Sequence, residues 1–358
     1  MNIAPPSLIA PTANAELEKA LRDRVDRRSA VAGRLGELEP LAVRLGLVQN
    51  SLTPRFRDPV LALFAADHGL VVEAAGDHWG RPTRELVQMA LHAQLPVSVF
   101  ARVQGLHLTV VDCGVADNLP PHARLLARKV AHGTRNARTS PAMSAEQAHA
   151  GVRVGMEIAD NLPGNVLACA AMGQGSAECA ALILSRLSDK SVREFIAPDP
   201  SIPQEDLTQL LKVLQGARAR HRNAREPMEV LAAFGGHELA VMVGAMLVAA
   251  SKRSLIIVDG IAACAALKLA SLICPPVTDY AVFTRSHVHQ SLDQALALLH
   301  ASALLELGMD SADGTGATLA WPMIRSAAAL LTDLHEVAEA RLGAGSTPAA
   351  PHAPTPAP

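Results

Sequence analysis

Apolar residues fall along this chain in short unbroken runs, each closed by a small or polar loop. Residues 60–66 run into Asp67-His68-Gly69, 106–111 into Asp112-Cys113-Gly114, and 165–171 into Met172-Gly173-Gln174-Gly175. Residues 230–234 reach Gly235-Gly236-His237-Glu238, 255–258 reach Asp259-Gly260, and 280–283 reach Arg285-Ser286-His287. Strands buried on both faces read as continuous apolar runs, so these six predict a parallel α/β sheet whose intervening Ala/Leu-rich stretches are helices. In such sheets ligands bind beyond the carboxyl ends of the strands. Asp67, His68, Asp112, Gly173, Glu238, Asp259 and His287 would gather at that edge. Taken singly, each reads more readily as a cap, a turn or a satisfied core polar group; six polar endings on one sheet edge are harder to dismiss.

The flanking pattern is different. Residues 16–47 carry apolar positions at helical spacing among Arg and Glu, predicting one or two amphipathic helices before Asp58-Pro59. Residues 239–250 are too short to span a bilayer and end in Ser251-Lys252-Arg253, so they predict a buried helix. Between 188 and 227 charges and prolines dominate, predicting a surface excursion with a helix near 205–215 and an arginine run best read as a solvated face. A long apolar stretch follows from 317 to 342. The tail, 343–358, is Pro, Ala, Thr and Ser, a composition expected to be disordered.

Composition narrows the function class. The 358 residues are 49% hydrophobic but only 3% aromatic, so Ala, Leu and Val must build the core. A net charge of −2 with no basic patch or charge block argues against nucleic acid and membrane surfaces as partners. The five cysteines are scattered without a CxxC pair, which suits reduced thiols in the cytoplasm and offers no zinc motif. Residues 1–11 lack the pattern of a signal peptide.

Candidate chemistry concentrates near the end of the folded part, at Ala312-Asp313-Gly314-Thr315-Gly316-Ala317. A carboxylate beside two glycines before an apolar helix can act as a general base, or it can cap the helix with Thr315. Other segments weigh on that choice. Phe64-Ala65-Ala66-Asp67-His68-Gly69 is followed by Gly133-Thr134-Arg135-Asn136, Pro141-Ala142-Met143, and a block from Glu229 through Gly235-Gly236-His237-Glu238 to Asp259-Gly260. Ser286-His287 and Gly314-Thr315-Gly316-Ala317 complete the series. In this order and spacing the segments resemble the nicotinate-nucleotide:dimethylbenzimidazole phosphoribosyltransferase family over about residues 35–342.

The resemblance implies a doubly wound parallel α/β domain with a smaller helical domain made from the N- and C-terminal segments, and a homodimer. Residues 1–57 and 308–342 would form the helical part, and 58–307 the α/β domain carrying the 188–227 excursion. The implied reaction is displacement at the ribose anomeric carbon. A benzimidazole nitrogen attacks nicotinate mononucleotide, nicotinate leaves, and α-ribazole 5′-phosphate forms with inversion. The pyridinium is already a good leaving group, so no metal and no cofactor are implied. The protein must orient the substrates, bind the phosphate and remove the imidazole proton.

Asp313 matches the position of the family's catalytic glutamate, one methylene shorter. Asp67, His68, His78, Gly173, Gly175, Ser176, Gly235, Asp259, Gly314, Thr315 and Gly316 match substrate-binding positions. The family's Gly-Glu-Met-Gly-Ile-Gly-Asn-Thr-Thr loop reads here from Ala170 to Glu178, so a second glutamate has become Ala171 and Glu178 adds a negative charge where phosphate is expected. Gly76-Asp77-His78-Trp79, Ala93-Gln94-Leu95-Pro96-Val97-Ser98 and the segment 286–291 also depart from the family pattern. Two readings stand: an active phosphoribosyltransferase with this or a related base, and a weak relative that binds a nucleotide or base or partners an active copy.

Overall fold

A computed structural model describes residues 8–74, 81–196, 203–285, 290–309 and 314–344. Its strands are β1 (Val60–Ala66), β2 (His107–Gly114), β3 (Leu125–Ala127), β4 (Val166–Met172), β5 (Leu255–Val258), β6 (Ala281–Arg285) and β7 (Ala303–Leu305). All pair in parallel, in the order β3-β2-β1-β4-β5-β6-β7. The order reverses direction between β1 and β4, the place where a doubly wound sheet opens a ligand crevice. Ala65 pairs with Met172 there, so the Asp67 and Gly173 loops leave the sheet side by side.

Thirteen α-helices are found among the described residues. They are α1 (Ala15–Ala32), α2 (Leu38–Gln49), α3 (Val71–Ala74), α4 (Thr83–Leu91), α5 (Pro96–Gln104), α6 (Ala145–Asp160) and α7 (Ser176–Ser188), followed by α8 (Gln204–Arg220), α9 (Pro227–Phe234), α10 (His237–Ser251), α11 (Ile261–Ile273), α12 (Gln290–Leu298) and α13 (Thr315–Ala344). As predicted, α10 is apolar all round and buried. It packs so closely on α6 that a Cβ on Gly151 would come within 2.6 Å of the Ala240 Cβ. The excursion helix α8 runs from 204 to 220 and buries Leu207, Leu210, Leu214 and Ala217, leaving its charges outside.

The sequence reading fails at three strands. Residues 230–234 form the end of α9, where a strand was expected. Pro227 occupies the first turn, and Glu226 and Glu229 close a reciprocal capping box with Glu226 N–H donating to Glu229 Oε2 at 3.3 Å. Five buried apolar residues carry too little periodicity to tell a helix from a strand. The edge strands β3 and β7 were not predicted. Each is apolar but only three residues long and at least partly exposed, too short to stand out as a buried run.

The described chain divides into two compact units, one drawn from 1–12 and 56–322, the other from 13–55 and 323–358. The resemblance implied a helical part of 1–57 and 308–342, likewise drawn from both ends of the chain. Ile9 is 2% exposed, Tyr280 donates its hydroxyl to the Ala10 carbonyl at 2.7 Å, and the Thr12 N–H donates to Asp279 Oδ2 at 3.0 Å, so this stretch belongs with the sheet. At the other end the division falls within α13 beside Pro322, which removes one N–H from the helical ladder. In the smaller unit, Asn14 caps α1 by accepting the Leu17 N–H, and Gly46 of α2 leaves room for Leu21. No helix among the described residues is long and apolar enough to cross a membrane.

Candidate active site

The carboxyl edge around the β1–β4 reversal collects the predicted loops and binds them to each other. Asp67 leaves β1 and uses both carboxylate oxygens as ties. Oδ1 accepts the Thr83 hydroxyl at 2.5 Å, and Oδ2 accepts the Ala116 N–H at 2.7 Å. Thr83 in turn accepts the Gln174 N–H at 3.1 Å, so the start of α4 bridges the β1 and β4 loops. The Thr134 N–H donates to the Asp67 carbonyl, and the Thr134 hydroxyl accepts the Gly69 N–H at 3.2 Å. Gly69 must be glycine here, because a Cβ would lie 2.6 Å from the Thr134 carbonyl oxygen. Thr83 and Thr134 were not singled out as site residues. Thr134 lies in the Gly-Thr-Arg-Asn segment already noted, whereas Thr83 carried no sequence signal.

The turn after β4 is shaped by two glycines in the left-handed half of backbone space. Gly173 has φ +149° and Gly175 φ +87°. A side chain on Gly173 would run into the Ala66 carbonyl, and one on Gly175 would meet Val71 and the His68 Cβ at 2.5 and 2.9 Å. Gly175 is the N-cap of α7, so the positive end of a 13-residue helix opens at this turn, with the Ser176 N–H turned back to the Gly173 carbonyl at 3.4 Å. Ser176, expected to contact a ligand, is 5% exposed and donates its hydroxyl inward to Glu238 Oε1 at 2.9 Å. Glu178, half-buried in the same first turn, carries a pKa raised by burial, with its own N–H and the nearby His68 pulling the other way.

His68 does not face a ligand. It is 4% exposed, with Nδ1 3.1 Å from Cys179 Sγ and Nε2 3.0 Å from Glu238 Oε1, so neither ring nitrogen is left for a substrate. The contact with Glu238 is an ion pair whose alignment falls short of a hydrogen bond. Burial alone would push the imidazole down, but Cys179 and Glu238 outweigh it and hold the pKa well above the ordinary value. Burial likewise opposes ionisation of Glu238, yet His68 and Ser176 keep its pKa low. Gly236 makes the approach possible, since a Cβ there would collide with both side chains. Gly235 continues from α9 in an extended conformation. The adjacent His237 donates its Nε2–H to the Gly133 carbonyl at 3.2 Å, and burial lowers its pKa. The sequence had placed Glu238 at the edge without giving it a role; the paired glycines before a helix were the available signal.

On the other side of the crevice, Asp259 is also buried rather than open. Oδ1 accepts the Thr284 hydroxyl at 2.8 Å, and Oδ2 accepts the Ala317 N–H at 3.1 Å in the first turn of α13. Gly314 has φ +88°, and a Cβ built on it would lie 3.0 Å from Leu63 and 3.4 Å from Ala170. The start of α13, with Thr315 and Gly316 buried, therefore sits against the β1–β4 pair itself. Asp313 and His78 lie outside the described residues, as do Asp77, Trp79 and 286–289. Among the described residues no group of three or more His, Cys, Asp or Glu side chains is arranged to hold a metal ion.

Comparison with known proteins bears on this geometry. A family model described as Phosphoribosyltransferase matches residues 10–342. A nicotinate-nucleotide–dimethylbenzimidazole phosphoribosyltransferase from Cupriavidus taiwanensis is 37% identical over 338 residues, covering 94% of this chain and 96% of the relative. One of the same name from Variovorax paradoxus is 37% identical over 318 residues, covering 89% and 91%. Among solved structures, CobT from Thermus thermophilus superimposes with a TM-score of 0.82 at 30% identity, covering 88% of this chain and 96% of that one.

Proposed function

The chain belongs to the nicotinate-nucleotide–dimethylbenzimidazole phosphoribosyltransferase family, and from that premise we propose that it moves phosphoribose from nicotinate mononucleotide to 5,6-dimethylbenzimidazole or a related base. The products are nicotinate and α-ribazole 5′-phosphate, the nucleotide-loop precursor of cobalamin. One C–N bond forms at the anomeric carbon as the bond to the pyridinium nitrogen breaks, and the bond electrons leave with nicotinate as its ring charge is neutralised. The proton on the attacking benzimidazole passes to a base.

The observation that carries this reading is the Gly173–Gly175 turn at the sheet reversal, where α7 opens its first N–H groups beside the β1 loop. An anion held there needs no side chain, only backbone donors. Gly173 and Gly175 are the proposed phosphate cradle. Asp313 is the proposed base, standing one residue before Gly314, which packs on the same β1–β4 pair. Gly314, Thr315 and Gly316 would frame that base, and His78 would line the acceptor pocket. Asp67, His68, Ser176, Gly235 and Asp259 serve as supports rather than contacts, since their polar groups or backbone are engaged within the protein. A homodimer and a cytoplasmic location complete the proposal, the latter supported by the absence of disulfides among all five cysteines.

The test is nicotinate release from nicotinate mononucleotide, with 5,6-dimethylbenzimidazole, adenine and a phenol as alternative acceptors. Release that depends on the benzimidazole, with a matching ribosylated product, is expected. No release with any acceptor, despite nucleotide binding that raises the melting temperature, would favour the binding-protein alternative. Light scattering reads the assembly.

A further inference from the structure

Three elements meet beneath the Gly173–Gly175 turn. The β1 loop supplies His68, α7 supplies Ser176 and Cys179, and the start of α10 supplies Glu238. The His68 and Glu238 side chains are fully buried and 3.0 Å apart. Ser176 Oγ, the first side chain of α7, donates to the same carboxylate oxygen that His68 faces, and Cys179 meets the other ring nitrogen one helical turn later. Two glycines are spaced to admit this cluster, Gly175 over the His68 ring and Gly236 against both members of the pair. The second carboxylate oxygen, Oε2, has no hydrogen-bond partner among the described residues.

A cluster of this kind is a poor way to gain stability. Removing two charges from water costs several kcal/mol each, and apolar residues of equal volume often do as well. What an ion pair with directional bonds supplies is placement. The two hydrogen bonds of this cluster both end on α7, at Ser176 and Cys179, and neither ends on solvent.

We propose that His68 and Glu238 are positioning residues for the nucleotide's phosphate, clamping the first turn of α7 so that the Gly173–Ser176 backbone holds one geometry. Neither residue touches the ligand. His68 sets the height of Gly175 by packing beneath it, and Glu238 fixes Ser176 through its hydroxyl. The proposal rests on the reading of the Gly173–Gly175 turn as the phosphate cradle.

The experiment compares parent, His68→Gln, Glu238→Gln and Ser176→Ala by amide hydrogen exchange, by steady-state kinetics with nicotinate mononucleotide, and by melting temperature. Amides of 173–176 should exchange roughly tenfold or more faster in each variant than the loss of global stability, read from the later turns of α7, accounts for. KM for nicotinate mononucleotide should rise roughly ten- to hundredfold, with kcat at saturation within about threefold of the parent. A uniform loss of protection across α7 and α10 with an unchanged KM would make the cluster merely structural and overturn the proposal. If the charge variants do not fold, Ser176→Ala decides, since it removes only one donor from the cluster's edge; parent-like exchange and KM in that variant overturn the proposal. If the parent itself transfers nothing, the functional reading fails, and the exchange arm still decides whether the pair positions the turn.

Discussion

The two sides of the crevice hold their loops by different means. On the β1–β4–α10 side, His68 and Glu238 form a desolvated ion pair bracketed by Ser176 and Cys179. On the β5–β6–α13 side, the contacts that tie the helix start are those of the Asp259 carboxylate with the Thr284 hydroxyl and the Ala317 N–H. Losing one partner of the first leaves a buried charge alone; losing the second removes a helix cap. The first arrangement should therefore be brittle and the second forgiving, although both serve the same edge.

The largest effect should come from the proposed base, which neither support replaces. Asp313→Asn should lower transfer by roughly 10²–10⁴-fold while the melting temperature stays near the parent's. Equal rates would reduce Asp313 to a helix cap. Next comes Glu238→Gln, which strands the His68 imidazolium and should cost about 3–5 kcal/mol in denaturant unfolding. The pH dependence of that loss has a definite sign. A raised histidine contributes fully below the ordinary imidazole value and fades as pH climbs through the raised one. A lowered carboxylate contributes above the ordinary carboxylate value and fades as pH falls through the lowered one. Parent and variant should thus differ most around neutral pH and converge towards both extremes.

Asp259→Asn should cost less, about 1–2 kcal/mol, because an amide oxygen still accepts one of the two donors. A loss as large as that of Glu238→Gln would erase the contrast between the two sides. The smallest effect concerns Glu178, in the first turn of α7 next to the proposed phosphate cradle. Glu178→Thr should tighten nicotinate mononucleotide by about 1 kcal/mol, roughly fivefold, in calorimetry. Burial holds the Glu178 pKa high, so as pH falls through it the charge disappears and the parent's affinity should approach the variant's. A parent that binds more tightly than Glu178→Thr at neutral pH would mean that the phosphate lies elsewhere.

Much of this was legible in the chain because central parallel strands leave a blunt mark. Val60–Ala66 and Leu255–Val258 are buried throughout and read as unbroken apolar runs. What could not be read was direction. Asp67, His68 and Asp259 were placed at the correct edge, yet a sequence says nothing about whether a polar side chain at a strand end turns outward to a ligand or inward to a neighbouring loop. The partners that turn them inward lie far away in sequence, Cys179 being 111 residues from His68. The same limit explains residues 230–234, where the deciding features were the proline and glutamates before the run rather than the run itself.

The cap on α13 also fixes an order of events during synthesis. Asp259 and the Ala317 N–H that it accepts are separated by 58 positions. At a ribosome speed of roughly 5–20 residues per second, the aspartate waits about 3–12 s for its donor to be made. Through that interval the nascent sheet already has β1, β4 and β5 but lacks the helix start that packs across β1 and β4. A message cut short before codon 314 would therefore yield a chain with all seven described strands and no means of closing the crevice, which makes α13 the checkpoint for the site.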